Sequence, residues 1–153
     1  MDTIFTVLHV VTAVFIVGPM AIIPMTAMRA VRAGNAAQVR VLAKSTTIFS
    51  WLSLIVFVLG FGVMGMADEK YGLSFTTPWI LWSIILYVIA FGLSVFLVVP
   101  AMNKGADALE ASTTASAGGA AAAEKSGYPA IAAGSGIVSL LLVAVVVLMV
   151  WKP

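Results

Sequence analysis

One histidine, six carboxylates, eight methionines and no cysteine are the stock from which this chain could assemble metal, acid–base or nucleophilic chemistry. His9 is the most telling of them. It lies inside the apolar run 4–28, where an ionisable group is expensive to desolvate and marks a functional site by default. At a helical rise of about 1.5 Å per residue it falls roughly two turns below the outer surface. Met64, Ser83 and Val146 of the later apolar runs are expected at similar depth. Two chemistries fit it. One is an axial ligand to haem, or a copper ligand shared with Met64 or Met66. The other is a neutral imidazole hydrogen-bonded to Ser83, to a backbone carbonyl or to a partner subunit. A single histidine with no second His and no Cys makes a poor metal site, so the second reading is adopted and no bound cofactor is expected. The methionines read as adaptable packing.

The six acids, Asp2, Asp68, Glu69, Asp107, Glu110 and Glu124, all fall outside the long apolar runs. No carboxylate pair, Ser–His–Asp set, phosphate loop or zinc motif can be built from them and one histidine, so no enzymatic activity is expected. Gly60-Phe61-Gly62-Val63-Met64-Gly65 matches a dinucleotide-binding pattern in form only. That fingerprint needs a preceding strand and a turn into a helix, and these glycines sit within an apolar run. Gly60, Gly62 and Gly65, like Gly134 and Gly136, instead suit close approach of a second helix. Ala90, Ser94, Ala130, Ala132, Ser135 and Ser139 extend the same small-residue pattern and point to tight packing in the third and fourth runs.

The elements that must position these residues follow from composition. The chain has 153 residues, 62% hydrophobic and 9% charged. Soluble domains carry about 25% charged residues, so most of this surface must face lipid. Four runs, about 4–28, 45–67, 78–100 and 129–151, reach the roughly 20 apolar residues needed to cross a bilayer. They are continuously apolar rather than alternating, and helices satisfy their own backbone groups in lipid. The expected fold is all-α, one four-helix transmembrane domain in the plasma (inner) membrane. The first run, lacking a basic start and a small-residue cleavage site, reads as a retained span.

Loop 29–44 holds Arg29, Arg32, Arg40 and Lys44 with no acid, and loop 101–128 adds Lys104 and Lys125. The opposite side has only Lys70 and Lys152. The positive-inside rule then places both loops in the cytoplasm and both termini outside. Trp79, Trp82, Trp151 and Tyr71 fall near the outer headgroups, Trp51 and Tyr128 near the inner ones. Arg29, Arg32, Arg40 and Lys44 are expected to meet phospholipid, anionic lipid included, at about 1 kcal/mol each near the surface. Nucleic-acid binding is not expected, because no soluble domain presents the cations. Asn35 suits an N-cap for a helix running into the second span. Residues 101–128 are expected to form a mobile loop, low in complexity over 111–123 and helical at most near 106–111.

Gly18-Pro19 and Pro24 should bend the first span. Ile22-Ile23-Pro24-Met25 and Val98-Val99-Pro100-Ala101-Met102 echo one another, as two tandem helical hairpins would.

Leu8-His9-Val10-Val11-Thr12-Ala13-Val14-Phe15-Ile16-Val17-Gly18 resembles the opening helix of a bacterial family of small four-span membrane proteins of unassigned function. It is also distantly similar to the membrane domain of copper-resistance proteins, with a comparable His-to-Gly helix. The alanine- and valine-rich character looks actinobacterial. In that group, proteins resembling this one occur as accessory subunits around the respiratory cytochrome bcc–cytochrome oxidase supercomplex. The resemblance implies a non-catalytic accessory subunit whose partners are integral membrane subunits of an electron-transport complex. The alternatives are a haem- or copper-handling protein using His9, and a lipid or small-molecule transporter using the bent first span.

Overall fold

A computed structural model describes residues 2–66, 72, 74–114 and 127–151, and every regular element among them is a helix. Lys70, Tyr71, Lys125 and Lys152, and the low-complexity stretch 115–123, lie outside the described residues. Span one is α1 (Asp2–Thr12), a wide π-helical turn (Ala13–Val17) and α2 (Gly18–Arg32). Span two is α3 (Ala36–Gly65). Span three is α4 (Pro78–Leu93), a second π-helical turn (Ser94–Val98) and α5 (Val99–Thr114), and span four is α6 (Tyr128–Trp151). The four helices are each long and apolar enough to cross a membrane.

The turn between spans one and two follows from its residues. Gly34 takes a left-handed φ of +68°, which costs glycine little, and so ends α2. The amide of Asn35 then reaches the Ala30 carbonyl at 3.0 Å and that of Gly34 reaches Val31 at 3.0 Å, satisfying two of the last carbonyls of α2. One residue later the Asn35 side chain accepts from the Gln38 amide at 3.0 Å, as an N-cap should. Pro78 opens α4 at a position where the missing donor costs nothing.

The spans pack in a ring, one against two, two against three, three against four and four against one, each pair antiparallel. Asp2 and Trp151 therefore lie at one end of the bundle (the terminal end), and Arg29, Arg32 and Arg40 lie at the other (the basic end). The core is concentrated at the basic end: Ala27, Val31, Val39, Ala43, Met102, Ala106, Leu109 and Ile131 are all buried. Small residues decide this, because lipid is as apolar as a leucine side chain and helices in it associate by close packing rather than by hydrophobic drive. At Gly127 an added Cβ would sit 2.5 Å from the Ala101 carbonyl oxygen, so the backbones of α5 and the start of α6 touch only because glycine stands there.

Towards the terminal end, large rings hold spans two and three apart. Phe75, Phe61, Phe57, Tyr87, Phe91 and Trp51 form an unbroken series of ring contacts, with centroid separations of 4.6–6.3 Å. Span one is the least held. Only 6% of its most apolar stretch is buried, against 28% in span four, because α1 packs chiefly on α3.

Two features differ from the sequence expectation. The loop expected from residue 101 is helix as far as Thr114, and Ala101, Met102, Ala106 and Leu109 are buried against the bundle. Their spacing makes one apolar stripe on a helix whose other face is charged, a local pattern obscured by the polar composition of the segment as a whole. The echo between spans one and three also has a different register. Ala13-Val14-Phe15-Ile16-Val17-Gly18-Pro19 corresponds to Ser94-Val95-Phe96-Leu97-Val98-Val99-Pro100, and in both a π-helical turn ends two residues before the proline. A ring that removes a donor and crowds the preceding turn gives both widenings the same local cause. Pro19, rather than Pro24, is the counterpart of Pro100.

Candidate functional site

His9 faces α3. Its Nδ1 lies 3.0 Å from the carbonyl oxygen of Val56, an atom that can only accept, so Nδ1 carries the proton. Gly60 is what lets the ring reach that carbonyl. It stands one turn beyond Val56, and an added Cβ would be 3.1 Å from His9 Cε1. Gly62 serves Phe5 in the same way, with an added Cβ 3.1 Å from the ring. Gly65 has nothing within 4 Å of that position. One turn after His9, the Thr12 hydroxyl bonds back to the Leu8 carbonyl at 2.6 Å and lies 3.1 Å from that of His9, directly before the π-helical turn. Such back-bonding favours a bend there.

Of the possible partners for His9, the structure selects a backbone carbonyl. Ser83 is buried, but its hydroxyl bonds to the Trp79 carbonyl of its own helix at 2.7 Å. With Nδ1 engaged, Nε2 is the imidazole atom left to accept a hydrogen bond or to bind a metal, and it makes no hydrogen bond among the described residues. Those residues include no group of three or more His, Asp or Glu side chains placed to hold a metal ion.

A second polar feature, not anticipated from the sequence, runs between spans two and three. Ser53 donates to the Ser50 carbonyl at 2.6 Å, and its oxygen is 2.7 Å from the Tyr87 hydroxyl, which therefore donates to it. Ser50 and Ser94 hydroxyls are 2.9 Å apart, and Thr46 Oγ1 lies 3.9 Å from Met102 Sδ. Thr46, Ser50 and Ser53 fall at i, i+4 and i+7, one face of α3. Hydroxyls at that spacing in an otherwise apolar run were the available signal. A further hydroxyl ties span four to span one, Ser139 donating to the Ala21 carbonyl at 3.2 Å. At Gly134 an added Cβ would lie 2.8 Å from Val98 Cγ2, whereas Gly136 has nothing within 4 Å.

The cations of the first loop divide. Arg40 forks onto α5, with Nε 2.8 Å and Nη2 2.7 Å from the two oxygens of Glu110, and Nη2 2.6 Å from Asp107. These groups lie on helix ends beyond the apolar runs, and the Arg40 guanidinium holds the Glu110 carboxyl below its ordinary range. Arg32 places its guanidinium 5.0 Å above the centre of the Tyr128 ring. Arg29 and Lys44 are exposed and make no ion pair or hydrogen bond among the described residues. Arg29 borders a surface depression completed by Ile22, Met25 and Thr26.

No curated protein and no solved structure matches the chain. A family model described as "Predicted integral membrane protein (DUF2269)" matches residues 3–153. Together with four helices long and apolar enough to cross a membrane, that match identifies the chain as a multi-pass integral membrane protein belonging to this family.

Proposed function

We propose that this protein is a non-catalytic accessory subunit that packs beside larger integral membrane subunits, with α1 and the terminal half of α3 as its contact face. The observation that carries the reading is His9. Its ring is anchored on Val56, its Nε2 has no partner among the described residues, and the helix that bears it is held chiefly by α3. Lipid tails offer no donor, so an imidazole acceptor at this depth gains from a hydroxyl or indole N–H on a neighbouring helix. On α1, Val7 and Val10 are each 53% exposed, which leaves apolar surface for such a helix to cover. The assembly to test first is the one the resemblance names, the respiratory cytochrome bcc–cytochrome oxidase supercomplex. Gently solubilised membranes should yield the tagged chain with a stoichiometric membrane partner, and His9→Leu should weaken that association. Recovery of the chain as a lone species sinks the proposal.

The second reading makes His9 a ligand to haem or copper. The Nδ1–H bond to Val56 favours it, since a histidine that binds metal through one nitrogen commonly donates the other to a carbonyl. A visible spectrum and metal analysis of the purified complex, compared with His9→Gln, separate the two. A band or metal content lost with His9 supports the ligand, and spectra identical in both proteins exclude it.

A further inference from the structure

We propose that Arg29, Thr26, Met25 and Ile22 form a site for one anionic phospholipid, with the phosphate on Arg29 and an acyl chain along Met25 and Ile22. The four residues line a single surface depression, and their spacing puts them on one stripe of α2. The opposite side of the same helix, Met20, Pro24, Ala27 and Val31, is buried in the bundle, so this stripe faces away from the core. Ile22 and Met25 are 63% and 41% exposed, which provides the apolar floor.

Among the cations of the first loop, charge leaves Arg29 and Lys44 uncommitted among the described residues, and Arg29 is the one that lines this depression. Arg40 is neutralised by Asp107 and Glu110, and Arg32 is seated on Tyr128. Arg29 lies in the last turn of α2, at the basic end, with its guanidinium uncommitted among the described residues. A planar guanidinium matches the geometry of a phosphate diester. The Thr26 hydroxyl bends back towards the Ile22 carbonyl at 3.4 Å, leaving its oxygen free to accept from a glycerol hydroxyl of the headgroup.

Native mass spectrometry of the purified full chain, offered phosphatidylglycerol or phosphatidylcholine at equal concentration, tests this without any partner protein. The wild type should retain one phosphatidylglycerol in preference to phosphatidylcholine. Arg29→Gln should abolish the preference, a loss of about tenfold for one missing charge-assisted contact. Thr26→Trp, which fills the depression and keeps the charge, should lower retention as well, whereas Arg40→Gln should leave it unchanged. The proposal is overturned if the wild type shows no preference or if Arg29→Gln binds like the wild type. It is equally overturned if Arg40→Gln loses as much, which would mean diffuse charge, or if soluble glycerol phosphate displaces the lipid, which would mean a headgroup site alone. Far-ultraviolet circular dichroism of each variant reports that the exposed substitutions leave the helices intact.

Discussion

His9 Nδ1 sits 3.0 Å from the Val56 carbonyl oxygen, and the contact exists because Gly60, one turn further along α3, has no side chain to block it. A carbonyl already inside a helix has a second lone pair to offer, and the imidazole takes it. The relationship joins His9 to a residue 47 positions away, and to that residue's neighbour one turn on, in one contact between spans one and two. It also decides which face of the ring nitrogen pair remains available.

Removing that bond should cost little and blocking it should cost more. His9→Ala is expected to destabilise the bundle by about 0.6–1.7 kcal/mol, the range for interhelical hydrogen bonds in membranes. Gly60→Val should cost about 1–3 kcal/mol, because the ring and the new side chain compete for the same space. Reversible unfolding in mixed micelles measures both, and a combined variant no worse than Gly60→Val alone would show that they share one contact.

The Ser53–Tyr87 pair should behave as a coupled unit. Tyr87→Phe removes the donor and keeps the ring stacked 4.8 Å from Phe57, so its effect isolates the hydrogen bond. A double-mutant cycle with Ser53→Ala should give a coupling of about 0.6 kcal/mol, rising no higher than about 1.7. Zero coupling would mean that the seam is held by ring packing alone.

Glycines in the spans should divide by what faces them. Gly134→Val is expected to disrupt the contact of spans three and four, at a cost of about 1–3 kcal/mol, because Val98 is fully buried and cannot move aside. Gly136→Ala and Gly65→Ala meet nothing within 4 Å. Both should be neutral or slightly stabilising, since alanine is the better helix former. Thermal denaturation of the three variants in one detergent ranks them.

The Arg40 fork should respond to pH in one direction. Glu110 is held below its ordinary value by Arg40, so its contribution is present at neutral pH and disappears as pH falls through the lowered value. The fork is exposed to solvent and screened by salt. Wild type and Arg40→Gln should therefore differ most in melting temperature at neutral pH and low salt. They should converge in acid, and again at about 1 M salt.

Much of the architecture is legible without coordinates. The helix stop at Gly34 and start at Asn35 are written in residue types with narrow conformational uses, and the four crossings are written in hydropathy. His9 stands out for a comparable reason, as the one ionisable side chain in a long apolar run. The loop from residue 101 misled, because the alanines and charges of α5 resemble a linker until Met102, Ala106 and Leu109 are seen on one stripe. The hydroxyl seam escaped notice because serine and threonine also bond back to their own helices, as Ser45 and Thr47 do, and nothing local separates the two uses.

Length, hydropathy and the placement of basic residues were enough to determine a membrane solvent, four helices and one cation-rich end, because those properties are sums over single residues. Rotation of each helix about its axis is another matter. Spans apolar on every side carry no stripe to point inwards, since lipid and protein interior are equally acceptable solvents for leucine and valine. Only the folded chain could decide that Gly60 rather than Gly65 meets a neighbour, that Tyr87 finds Ser53, and that Arg40 is spent on Glu110 while Arg29 is left exposed beside a surface depression.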